Sequence, residues 1–222
     1  MAWWFWPLVV VTAAGAAWAV WRWRASRQRL QRVHRRLIQR AAGGGGGDSL
    51  FQVVAKGEHE TLAKLLERPG AQVKERTSDG RTLLHVAVQR AHEESVRLLV
   101  AHGADINALD KKRESPLHMA CIQTHSSKAR DRYWRIAELL LGRGAMVNMR
   151  AQHGYTPLYL AVKNGRHDLV KLLIDSGANP NIYDSEGYGP LFWARKMDNQ
   201  ETIRRLEARG AKEFAAAAET GT

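Results

Sequence analysis

The chain has 222 residues, a formal net charge of +12 and a pI near 10.3, and a single cysteine, Cys121, which excludes an intramolecular disulfide framework. So basic a balance invites a nucleic-acid reading. However, residues 1–47 hold eight of the 34 basic residues and none of the 22 acidic ones, so the remainder is only mildly basic. Charge confined to one stretch argues against nucleic acid and for an anionic membrane surface.

Residues 2–21 carry no charge and are dominated by Trp, Val and Ala. At about 1.5 Å per residue they reach about 30 Å, the thickness of a bilayer core. Trp3, Trp4 and Trp6 at one end and Trp18, Trp21 and Trp23 at the other stand where interfacial aromatic belts belong. Pro7 lies near the start, where a helix tolerates it. A transmembrane anchor is therefore expected over residues 1–23. The competing reading is a cleaved secretory signal, but such a signal carries its positive charges before the apolar stretch. Here Arg22, Arg24 and Arg27 follow it, as do five further arginines up to Arg40. The positive-inside rule then places the N-terminus outside and the rest of this single-pass chain in the cytoplasm.

Residues 24–47 form a basic juxtamembrane segment and a glycine joint. Leu30, Val33 and Leu37 give residues 22–41 a narrow helical stripe. Standing upright, such a helix keeps only Arg22, Arg24 and Arg27 within one Debye length of anionic lipid, about 8 Å. Lying on the surface it engages most of its arginines. Gly43 to Gly47 make a flexible link and, with no Lys-Ser/Thr after them, open no phosphate loop.

From residue 48 to 212 the chain repeats itself. Residues 48–74 keep a second-helix pattern in Leu62, Leu65 and Leu66, followed by Gly70-Ala71, but lack the hairpin motif of the later units, as a divergent capping unit does. Then Thr82-Leu83-Leu84-His85-Val86-Ala87 recurs as Ser115-Pro116-Leu117-His118-Met119-Ala120, Thr156-Pro157-Leu158-Tyr159-Leu160-Ala161 and Gly189-Pro190-Leu191-Phe192-Trp193-Ala194. In phase with it, Gly103-Ala104-Asp105-Ile106-Asn107 recurs at Gly144, Gly177 and Gly210. The basic period is 33 residues, as between Thr82 and Ser115. Pro116, Pro157 and Pro190 preset a first helical turn, the Thr or Ser before them can cap it, and the glycines supply the positive φ that ends a helix. A T-P-L-H-x-A element at this period resembles the ankyrin repeat family, in which each unit is a β-turn and two antiparallel helices. The fold class expected is an all-α repeat solenoid, an ankyrin stack of about five helix-turn-helix units with β-turn hairpins, preceded by the transmembrane helix. Arg205 stands where Leu98, Leu139 and Leu172 stood in earlier units, so the last stacking face is charged and the array ends. Residues 213–222 are a tail.

The resemblance implies a binding module that uses its concave surface. Carried over by position, the hairpin tips are Ser78, Asp79 and Arg81, then Lys111, Lys112 and Glu114, then Gln152, His153 and Tyr155, then Ser185, Glu186 and Tyr188. On the inner helices the matching positions are Gln89, Arg90, Gln123, Lys163, Asn164 and Lys196. The resemblance also makes His85 and His118 ties between neighbouring hairpins, and Cys121, aligned with Val88 and Val162, a core residue. No Gly-x-Ser-x-Gly, nucleotide loop or His-carboxylate ligand spacing is present, so no enzyme, cofactor or small-molecule substrate is expected. Between Leu117 and Gly144 the repeat is eight residues longer than its neighbours. The excess around His125 to Arg132 predicts a basic loop with Lys128, Arg130 and Arg132 beside exposed Tyr133 and Trp134, a possible second contact site. The expected function is a membrane-tethered adaptor that recruits or restrains a protein with an acidic segment. The alternatives are an exported ankyrin protein assisting an enzyme, and a structural subunit of a membrane complex.

Overall fold

Signals that start and stop helices recur along the chain, and the backbone obeys them. The computed structural model describes residues 50–69, 72–122 and 127–214, with 127–128 described by backbone alone. The expected anchor of residues 1–23, the segment of 24–47, Gly70-Ala71, Gln123 and the tail from 215 lie outside these residues, as does the side chain of Lys128. Among the described residues no helix is long and apolar enough to cross a membrane.

The described residues form five helix pairs. They are α1 (Leu50–Lys56) with α2 (His59–Leu66), α3 (Leu83–Gln89) with α4 (Glu93–Ala101), α5 (Pro116–Ile122) with α6 (Ser127–Gly142), α7 (Pro157–Lys163) with α8 (His167–Asp175), and α9 (Pro190–Lys196) with α10 (Gln200–Glu207). Extended structure among the described residues is confined to isolated bridges, Arg76 with Thr82 and Tyr188 with Phe214. Thr82 and Thr156 cap α3 and α7 by accepting the backbone N–H groups of His85 and Tyr159. Gly103, Gly144, Gly177 and Gly210 all have positive φ, from 70° to 88°, which an L side chain resists.

First helices pack on first helices along the stack and second helices on second helices. Leu83, Leu84, Leu117, Leu158 and Leu191 are buried between the first helices, and Val96, Leu99, Ile136, Leu140, Leu169, Leu173 and Leu206 on the second. No pair could bury these faces alone, which is why the units stand together. The first pair contains both helices, with Val53 and Val54 of α1 fully buried. At the other end Arg205 is half-buried and paired with Glu201 at 2.6 Å.

The long third unit corrects one expectation. From Ser127 on its extra residues build helix rather than a loop: α6 runs 16 residues, where α4 and α8 each run nine. Ala129, Tyr133, Ile136, Ala137 and Leu140 fall at helical spacing, so the apolar stripe continues through the insertion and holds it against the stack. Tyr133 is not exposed: it is buried and its hydroxyl donates to the Gln89 carbonyl at 2.9 Å. Trp134 is half-buried, and Arg130 and Arg132 are exposed on the helix.

Polar side chains fasten neighbouring units in two directions. Asn107, Asn148 and Asn181 each reach to the following unit, donating to the carbonyls of Gly144, Gly177 and Gly210 and accepting the N–H groups of Met146, Asn179 and Lys212. Others reach to the preceding unit: His92 Nδ1 donates to the Val54 carbonyl at 2.8 Å and Asn164 Nδ2 to that of Cys121 at 3.2 Å. Arg166, whose side chain is fully buried, donates to the Arg130 carbonyl and to both carboxylate oxygens of Asp168. Burial by itself raises the Asp168 carboxyl, but the bonds and charge of Arg166 outweigh it and hold the group below the usual carboxylate range.

Candidate binding face

The hairpins line up because each tip bonds to the next. Lys111 N–H donates to the Asp79 carbonyl at 3.0 Å, Gln152 to Lys112 at 2.9 Å and Ser185 to His153 at 2.9 Å. Two of the hairpins are turned by a carboxylate inside them: Asp110 Oδ1 takes the N–H groups of Lys112 and Glu114, and Asp184 Oδ1 those of Glu186 and Tyr188. The row is closed beyond the fifth pair, where Gly189 N–H donates to the Glu213 carbonyl.

Beneath the row, His85 and His118 act as cross-ties. Nδ1 of His118 accepts the N–H of Ser115 at 3.1 Å and lies 2.8 Å from its hydroxyl, which leaves the ring proton on Nε2 to donate to the Tyr155 carbonyl at 3.1 Å. His85 is held in the same way between Thr82 and the Glu114 carbonyl. Burial lowers the pKa of both rings, that of His118 to about 4, so both are neutral. In the next unit Tyr159 takes the slot and its hydroxyl donates to Asp184 Oδ2 at 2.7 Å. Burial foremost, with the Asp184 bond second, raises that hydroxyl's pKa. Cys121 is fully buried, which pushes its thiol up to about 12 and away from thiolate chemistry. Among the described residues no group of three or more His, Cys, Asp or Glu is placed to hold a metal ion.

Ser78, Asp79, Lys111, Lys112, Gln152, His153, Ser185 and Glu186 are exposed on the tips, and Arg90 and Lys196 at the ends of first helices. Arg81, Gln89, Glu114, Tyr155, Lys163, Asn164 and Tyr188 are half-buried. Some of these are already engaged within the fold. Arg81 donates to Gln89 at 3.3 Å and lies 3.6 Å from the Asp110 carboxylate, and Asn164 holds the Cys121 carbonyl. Burial first, then the Asp110 charge, raises the Glu114 carboxyl.

The last two pairs surround Tyr155 and Tyr188 with aromatic rings that positional transfer of the family pattern passes over, those of Tyr159, Phe192, Trp193 and Phe214. Tyr155 stacks on Tyr159 with centroids 4.7 Å apart, and Tyr159 meets Trp193 edge-on at 6.2 Å. Tyr188 stacks on Phe192 at 4.4 Å, and Phe214, half-exposed, lies 5.7 Å from Phe192. Lys163 Nζ stands 5.2 Å from the centre of the Tyr155 ring and 4.6 Å from that of Trp193. Lys196 Nζ stands 4.9 Å from the same Trp193 centre. The sequence signal for this cluster is substitution within the motif: Trp193 occupies the slot of Val86, Met119 and Leu160, and Phe192 that of His85 and His118. Aromatic side chains at half-buried slots offer contact area with little side-chain entropy to lose. Residues 50–130 and 127–214 match the family described as ankyrin repeats (3 copies). No curated protein matches the chain.

Proposed function

Because the chain belongs to the ankyrin repeat family, whose stacks serve protein–protein interaction, we propose that it is a membrane-tethered adaptor. The face made of hairpin tips and first helices recruits or restrains another protein through an acidic segment. The observation that carries this reading is the charge of that face: Arg81, Arg90, Lys111, Lys112, Lys163 and Lys196 outnumber Asp79, Glu114 and Glu186. Binding is favoured over catalysis because His85 and His118 are consumed as neutral cross-ties and Cys121 is sealed in the core.

Tethering is supported by the uncharged stretch 2–21 and the arginines after it. Arg22, Arg24 and Arg27 meet anionic lipid, the N-terminus lies outside and the repeats face the cytoplasm. In sealed cytoplasm-side-out vesicles, added protease should therefore digest residues after Gly47, and protection of the repeats would overturn this orientation. Truncating Lys111, Lys112 and Tyr155 together to alanine should weaken partner capture while the circular dichroism stays unchanged, because the two exposed lysines change stability by less than about 0.5 kcal/mol each and Tyr155 gives up one stacking contact of about 1 kcal/mol. Undiminished capture at the same salt would remove the hairpin tips from consideration.

A further inference from the structure

Lys163 closes α7 and Lys196 closes α9, at the same slot of successive units. Their ammonium nitrogens lie 4.6 Å and 4.9 Å from one Trp193 ring centre, and so no more than 9.5 Å from each other. Lys163 is further flanked by the Tyr155 and Tyr159 rings, and Lys196 by Phe192. Among the described residues neither ammonium pairs with a carboxylate. Four acids of the same units are engaged elsewhere: Asp184 with Tyr159, Asp168 with Arg166, and Glu207 and Glu213 with Arg195. Two like charges are thus held on one indole, whose π face offsets part of their repulsion but cannot neutralise them.

We infer that the Lys163–Trp193–Lys196 cluster is the anchor for the acidic segment, taking two carboxylates carried at alternate positions of an extended strand of the partner protein. This deepens the acidic-partner reading above and rests on it. Alternate side chains on one side of a strand are about 7 Å apart, within the span that the two ammoniums allow. The aromatic walls lower the local dielectric, so each ion pair formed there is stronger than one on an open tip such as Lys111. The shared ring also fixes the lysine spacing, so less side-chain entropy is lost on binding.

The test uses the full chain in detergent micelles and a fluorescein-labelled peptide with glutamate at alternate positions, compared with the same peptide carrying glutamine. Anisotropy should show binding of the glutamate peptide that weakens with salt, and about tenfold weaker binding of the glutamine peptide. Lys163→Gln with Lys196→Gln should reduce the glutamate peptide to the glutamine level, whereas Lys111→Gln with Lys112→Gln should change affinity by less than about twofold. Circular dichroism checks that both double variants keep their helices. Equal binding of the two peptides, or of an oligonucleotide of the same charge, overturns the inference. Loss of binding in the Lys111/Lys112 variant alone overturns it while leaving the acidic-partner reading intact. Absence of any binding by the unaltered chain overturns both.

Discussion

Acid should weaken the stack through His118, and the size of the effect follows from its burial. The ring accepts from the Ser115 N–H and donates to the Tyr155 carbonyl, a pattern only the neutral imidazole can make. Protonation places a second N–H against the Ser115 donor and a charge in the core. The folded pKa is depressed from 6.5 to about 4, so the stabilising term is complete above pH 6.5 and is lost as the pH falls from there toward 4, where the folded ring also protonates. Between pH 7 and pH 5 the shift corresponds to about 2 kcal/mol from this one residue, at 1.36 kcal/mol per pKa unit. His85 acts in the same direction. The assay is urea unfolding followed by far-UV circular dichroism at both pH values, for the unaltered chain and for His118→Gln, whose amide can donate to the same carbonyl but does not titrate. The unaltered chain should lose about 2 kcal/mol more than the variant over this interval. Equal losses would refute the reasoning, because they would mean that the His118 site tolerates the charged ring.

Three further outcomes are expected. Asn148→Ala removes the bonds to Gly177 and Asn179 and should cost about 1 kcal/mol, with faster amide exchange at Asn179; unchanged exchange there would show that the loop is held by other contacts. Arg113 has φ 58° at the slot where Gly80 and Gly187 have 78° and 87°, so Arg113→Gly should stabilise the fold by roughly 0.5–1 kcal/mol, and a lower urea midpoint would contradict this. Arg205→Leu replaces the half-buried charge of the last stacking face with apolar surface and should promote self-association, seen as a concentration-dependent sedimentation coefficient; a monomer at every concentration would count against it.

The parts of the fold legible in sequence are those set by local chemistry. Thr82, Thr156, the prolines and the terminal glycines act within one turn of where they stand, so their period announces the units. The insertion was legible too, but its charge misleads: Lys128, Arg130, Asp131 and Arg132 suggest a solvated loop, while Ala129, Tyr133 and Ile136 carry a helical stripe through it. Side chains whose partners lie in another unit could not be read in this way. Nothing near Asn148 in sequence reveals that it bonds the Gly177 loop, and Lys163 and Lys196 become a pair only when stacking puts Trp193 between them. Tyr155 and Tyr188 were legible as aromatics of the hairpins, whereas Tyr159 and Phe192, which extend them into a wall, stand in a slot that histidine had marked as internal.

The two directions of fastening matter when the chain is made. A ribosome delivers the N-terminal units first. His92, Tyr133, Asn164 and Arg166 look back to units already synthesised, so each new helix pair arrives with the means to dock on its predecessor. His85, His118, Asn107, Asn148 and Asn181 look forward, and their partners do not yet exist when they emerge. From the second unit on, a growing stack therefore presents an open socket at its newest end, ready for the next pair. The final socket is filled by Gly210 and Lys212, and a nascent chain halted before them would leave the exit tunnel with Asn181 still seeking its partner.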